Sequence, residues 1–203
     1  MVGRVVLGER FGAVGIQAEV QAYPRLARRG YLYVAAAVSP HRDVFVPFRA
    51  GLEPFVYPGG TAELSAGARL FRTGDTSIVS YTGSIGWYFG NYWFSLRPYA
   101  TPWNGSVDLA GELAFRRYFA GRYDYVGFYV SGSAGADPVS NDPGRLTRPE
   151  TLQGYAARIE RRRTSPAGDV RFSYGLGVAR EEVFNGQHRM RYSLMFGLHS
   201  LLP

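Results

Sequence analysis

The chain has no Cys and three His, so any reactive site has to be built from His, Ser, the acids and Arg. A metal centre would need His41, His188 and His199 to converge. Their spacing offers no ligand pattern and no thiolate is available, so no metal is expected. An acyl hydrolase would need a Ser activated by a His. Ser193 stands two residues from Arg191, but no Gly-x-Ser-x-Gly turn is present, and Ser131-Gly132-Ser133 reads as a Gly-rich strand. Gly59-Gly60 and Gly175-Leu176-Gly177 lack the Lys and the following helix of a phosphate loop. No catalytic, cofactor-binding or metal-binding residue is expected, and the chain is not expected to be an enzyme. A lipid-modifying enzyme is the alternative from a different class.

Arg remains. All 23 basic residues are Arg, against 16 acids, for a net charge of +7. They are scattered along the chain. The one dense run, Arg161-Arg162-Arg163, lies beside a turn signal and reads as a solvated turn, so no nucleic-acid partner is expected. A different set falls on the polar faces of alternating segments: Arg97, Asp108, Glu112, Arg116, Arg158, Glu160, Arg162, Arg171, Arg189 and Arg191. Facing a common interior, these side chains would either fill it with ion pairs or line a path that attracts anionic solutes such as acidic sugars.

A period of two has to position them. Val107, Leu109, Gly111, Leu113 and Phe115 alternate with Asp108, Ala110, Glu112, Ala114 and Arg116. Val170, Phe172, Tyr174, Leu176 and Val178 alternate with Arg171, Ser173, Gly175, Gly177 and Ala179. Met190, Tyr192, Leu194, Phe196 and Leu198 alternate with a face that includes Arg189, Arg191 and Ser193. Val14, Ile16, Ala18 and Val20 alternate with Gly15, Gln17, Glu19 and Gln21. Each segment therefore has one apolar and one polar face, as a strand requires. Thr76 to Leu96 is uncharged and long enough for a membrane helix, but Ser, Thr, Gly and Asn recur through it at strand spacing.

Turn signals at Gly12-Ala13, Pro24 to Gly30, Pro40 to Asp43, Pro58 to Gly60, Thr73 to Asp75 and Gly90-Asn91 divide the first half. Pro102 to Gly105, Ala120 to Arg122, Ala136 to Glu150, Thr164 to Gly168 and Phe184 to Gly186 divide the second. About twelve strands follow, in one domain over residues 1–203. Several segments are long, about 10 to 14 residues, which suits tilted membrane-spanning strands. Trp87, Tyr88, Tyr92 and Trp93 crowd one turn, with Tyr99, Trp103, Tyr118, Phe119, Tyr123 and Tyr125 following, as an interfacial girdle would. In lipid an unpaired backbone group costs several kcal/mol, so a spanning sheet must close. The expected fold is all-β: a closed, antiparallel, up-and-down transmembrane β-barrel. With both termini periplasmic, Ala136 to Glu150 becomes an extracellular loop and the turns at Pro58, Gly90 and Gly121 become periplasmic hairpins.

Two stretches carry a resemblance. Tyr81-Thr82-Gly83-Ser84 leads into Tyr88-Phe89-Gly90-Asn91-Tyr92-Trp93-Phe94-Ser95-Leu96-Arg97-Pro98-Tyr99, and Phe115-Arg116-Arg117-Tyr118-Phe119 is followed by Tyr125-Val126-Gly127. Together they resemble the YaiO-type family of outer-membrane β-barrels, from about residue 10 onward. The resemblance implies a bacterial outer-membrane location and partnership with outer-membrane lipid and the barrel-assembly machinery. It also implies a periplasmic helical-repeat domain ahead of the barrel in some relatives. No apolar leader follows Met1, where Arg4, Glu9 and Arg10 come instead, so the chain is expected to be the C-terminal part of a longer protein. Relatives occur alongside envelope polysaccharide functions. The expected role is a conduit or anchor linked to envelope or exopolysaccharide export, handling an anionic saccharide without a cofactor; a purely structural anchor for a periplasmic domain is the other alternative. The end of the chain, His199-Ser200-Leu201-Leu202-Pro203, lacks the terminal aromatic that assembly factors read, and Phe196 is the nearest substitute.

Overall fold

The alternating segments fold as antiparallel strands. The computed structural model describes residues 1–10, 12–103, 106–121, 123–134, 153–165, 170–184 and 187–200. The first half of the chain holds β1 (Val2–Arg10), β2 (Ala13–Ala22), β3 (Arg25–Ala27), β4 (Gly30–Val38), β5 (Phe48–Gly59), β6 (Ala62–Thr73) and β7 (Thr76–Phe89). The second holds β8 (Tyr92–Trp103), β9 (Ser106–Tyr118), β10 (Tyr125–Ala134), β11 (Gln153–Thr164), β12 (Val170–Phe184) and β13 (Gln187–Ser200). Each long strand pairs with the next in chain order, so the 13-stranded sheet is one up-and-down meander. Among the described residues β1 and β13 share no ladder.

The strand number differs from the expected twelve by β3. Within the expected Pro24 to Gly30 turn the chain doubles back, pairing Arg25 with Tyr31 and Ala27 with Gly30. The Leu32 amide closes this small hairpin by donating to the Pro24 carbonyl at 2.9 Å. Three residues are too few to show a period of two, so β3 left no pattern to read. Two of the tight connections fall where Gly permits them. Gly74 and Gly90 adopt positive φ, 59° and 54°, in two-residue hairpins where a side chain would be strained. Ala136 to Glu150, the expected extracellular loop, lies outside the described residues.

Burial is inverted relative to a water-soluble sheet. Gln17, Glu53, Ser80 and Thr101 are 1–2% exposed, and Glu63 and Ser84 are buried with them. Leu109, Leu113, Leu176, Leu194 and Phe196 are 58–77% exposed. Phe172 is also exposed. A sheet with polar side chains inside and a continuous apolar exterior is stable only where the exterior meets hydrocarbon. Among the described residues no helix is long and apolar enough to cross a membrane.

Candidate functional site

Register carries the polar face around the sheet. Arg97 pairs with Glu112, Glu112 with Ser131, Ser131 with Ala156, Ala156 with Ala179, and Ala179 with Arg191. The second inner row from it, toward the Gly90 turn, runs Trp93, Arg116, Gly127, Glu160, Gly175 and Met195. Arg158 lies opposite Tyr129 and Gly177, Arg162 opposite Tyr125 and Ser173, and Arg189 opposite Glu181. Asp108 pairs with Thr101, and Arg171 with Thr164. All ten sequence-derived residues therefore share the inner face. The Arg161 to Arg163 run is not one solvated turn: it lies in β11, where alternation sends Arg162 inward and its neighbours outward.

The inner face changes character along the strands. At the end with the Gly12 and Gly74 turns, the connection between β4 and β5 folds inward. Val44, Phe45 and Val46 are 3–5% exposed. Val46 packs with Phe71, Ile78 and Trp103. Two glycines make room: a Cβ on Gly8 would stand 2.8 Å from the Phe45 ring, and one on Gly15 would stand 2.7 Å from Val44 Cβ. His41 is part of this seam rather than only solvated, since its Nδ1 accepts from the Ile16 amide at 3.2 Å. The Ser39 hydroxyl donates to the Ile16 carbonyl at 2.6 Å. His188 lies in β13 rather than in a loop, and no group of metal-binding side chains occurs among the described residues.

Below this apolar segment come ion pairs. Arg49 donates to Gln17 at 2.7 Å and to Glu19 at 2.9 Å. Arg97 reaches across the sheet to Glu53 at 2.5 Å, and Glu53 also accepts from the Ser65 hydroxyl. Ser65 and Ser84 are hydrogen-bonded at 2.6 Å. The Glu53 side chain is 3% exposed, so its charge is held by these donors rather than by water. Further round, Arg162 pairs with Glu160 at 3.0 Å, and Arg189 and Arg191 both pair with Glu181 at 2.8 Å.

Other inner arginines meet rings. Arg116 lies 4.4 Å from the Trp93 ring centre and 4.9 Å from that of Tyr125, and its Nε donates to the Tyr129 hydroxyl at 2.9 Å. Arg158 stacks on Tyr129 at 4.2 Å, and Arg171 on Tyr123 at 3.4 Å. The Nε atoms of Arg158 and Arg171 are buried without a protein partner. A guanidinium over a ring keeps its charge without a carboxylate to neutralise it.

The aromatic girdle read from the sequence is therefore divided. Trp87, Tyr92 and Phe119 lie on the outer face, as do Phe89 and Phe94. Tyr88, Trp93, Tyr99, Tyr118 and Tyr125 lie on the inner face, and Trp103 packs with the apolar cluster. Runs of adjacent aromatics conceal which members point in, because alternation sends every second ring to the opposite face.

Cavities open off the inner face. One of about 310 Å³ is bounded by Tyr99, Glu112, Ser131, Ser133, Glu181 and Arg191. Another of about 500 Å³ is bounded by Glu19, Tyr33, Arg49, Arg69 and Arg158, so β11 faces β2, β4 and β5 across it. Sequence reasoning missed Glu19, Arg49, Glu53, Glu63 and Arg69 as members of this set. Glu19 was visible in the alternation of β2. Glu53 was hidden because it shares its face with Phe55, which reads as a lipid-facing residue.

An inverted sheet of this kind matches a known family. The model of the YaiO membrane β-barrel domain aligns with residues 1–139. The chain belongs to the YaiO family. Its place is the bacterial outer membrane. Among solved structures, the crystal structure of Pseudomonas aeruginosa OpdQ, an outer-membrane barrel, superposes with a TM-score of 0.56 at 9% identity. The superposition covers 98% of this chain and 62% of OpdQ, so this YaiO-family chain spans less than two thirds of its neighbour's length. At that identity the likeness concerns the fold alone. No curated protein matches the chain.

Proposed function

We propose that the sheet closes through β1 and β13 into an outer-membrane barrel. Its inner face would serve as a narrow conduit for an anionic saccharide during export of envelope or exopolysaccharide material. Closure follows from the medium: two open edges in hydrocarbon would leave a row of unpaired amides and carbonyls on each. The conduit reading is carried by the placement of Arg116, Arg158 and Arg171, which among the described residues face rings rather than carboxylates. Guanidinium donors suit the carboxylates of acidic sugars, and flanking rings suit the apolar faces of pyranoses. The test is the reversal potential across a salt gradient in a planar bilayer. Anion preference is expected for the wild type and should weaken or reverse in the Arg116→Glu, Arg191→Glu double variant.

The inward β4–β5 connection favours a second reading, a closed anchor for a periplasmic domain. Val44, Phe45 and Val46 fill one mouth, and the Arg97–Glu53 pair spans the middle of the inner face. Absence of conductance from well-folded protein, wild type and variant alike, would select the anchor.

A further inference from the structure

The outer surface of β9–β11 carries a basic feature that an inner conduit does not use. Register gives its depth. One outer row runs Phe94, Phe115, Phe128, Ile159, Leu176 and Leu194, and is apolar throughout. The next outer row toward the Gly90 and Gly121 turns runs Tyr92, Arg117, Val126, Arg161, Tyr174 and Phe196. Two residues along a strand amount to about 7 Å, so two Arg stand one pleat outside the apolar band. Charge on that face is tolerated where long side chains reach the headgroup level.

The two Arg act on one spot. Arg117 lies 5.2 Å and Arg161 4.8 Å from the centre of the exposed Phe119 ring. Asp124 holds Arg161 at 2.5 Å, and the Arg162 carbonyl accepts from it at 2.9 Å. Arg117 has ring contacts alone among the described residues, with Tyr92 and Phe119. Arg163, a further pleat toward the turn, is exposed. Asp124 offsets one of the three charges and leaves the patch cationic. On strands β7, β8, β10, β12 and β13 the same row carries Phe89, Tyr92, Val126, Tyr174 and Phe196, so from β7 to β13 the cations of this row stand on β9 and β11 alone.

We propose that Arg117, Arg161 and Arg163 form a site for the phosphate of an anionic membrane glycerophospholipid. The phosphate would sit beside Phe119, with an acyl chain lying along Phe115 and Phe128. Guanidinium forks pair with two phosphate oxygens. The apolar row below supplies the contact that distinguishes a lipid from free phosphate. The site rests on the outer-membrane placement and is independent of conduction.

The test is native mass spectrometry of the barrel refolded in non-ionic detergent and titrated with phosphatidylglycerol. Wild type should retain one lipid, and the Arg117→Gln, Arg161→Gln variant should lose affinity by about tenfold. Arg180→Gln, on the outer face near the opposite end, should bind like wild type. Equal retention by the double variant would overturn the site, as would equal retention of phosphate-free diacylglycerol or equal affinity for inorganic phosphate alone. If the double variant does not fold, a photoactivatable phosphatidylglycerol on the wild type decides. Labelling concentrated on β9–β11 supports the site, and labelling spread evenly around the barrel overturns it.

Discussion

The strands from β2 to β8 and those from β9 to β13 use the same polar inner face in different ways. In the first group polar side chains are sealed: Gln17, Glu53, Ser80 and Thr101 are 1–2% exposed, and Arg49 and Arg97 are fixed by carboxylates. In the second group small residues such as Gly175, Gly177 and Ala179 leave space, and the arginines either stack on rings or pair near solvent. The Arg191 side chain is 62% exposed beside Glu181. The first group holds Arg49 and Arg97 in ion pairs, even beside the cavity at Glu19 and Arg49, and the second leaves Arg116 and Arg158 on rings. A buried charge pair costs much to break, whereas an exposed one contributes little.

The largest expected effect separates the groups directly. Glu53→Ala leaves Arg97 buried without its partner and should destabilise the barrel by roughly 3–5 kcal/mol. Glu181→Ala in the second group should cost about 1 kcal/mol or less. Urea unfolding from lipid bilayers reads both, and equal losses would erase the distinction. Next in size is Leu113→Arg on the outer face, which should cost roughly 2–4 kcal/mol if the site is near the bilayer midplane. Ser131→Arg, on the inner face of the neighbouring strand β10, should fold with a much smaller loss. The smallest effect sharpens the second group. Tyr129→Phe keeps the ring under Arg158 but removes the acceptor of Arg116, and should cost about 1 kcal/mol. If the inner face conducts, this change should also strengthen anion preference, because Arg116 is released toward the lumen.

The fold was legible wherever one face is apolar and the other polar. In β2, β9, β12 and β13 the alternation of Val, Leu or Phe with Gln, Glu, Arg or Gly assigned both faces without a structure. All ten charged residues taken from that pattern share the inner face. It failed where the interior itself is apolar. Val46, Phe71 and Ile78 point inward to one another and Val44 and Phe45 pack over Gly15 and Gly8, and a sequence of hydrophobic residues does not say whether their neighbour is lipid or another side chain. It failed again in the Tyr- and Trp-rich hairpin between β7 and β8, where both faces are aromatic. The partners of each Arg were also hidden. Arg97 lies 44 residues from Glu53, and only curvature of the sheet brings them together.

The account stands most directly on which residues meet lipid. The absence of Cys allows single-Cys spin labels at successive positions from Leu109 to Phe115 in bilayer-reconstituted protein. The prediction is a period of two: labels at 109, 113 and 115 accessible to oxygen dissolved in the hydrocarbon, and those at 110, 112 and 114 shielded from it. The reverse phase, or accessibility without alternation, would contradict the inverted membrane sheet.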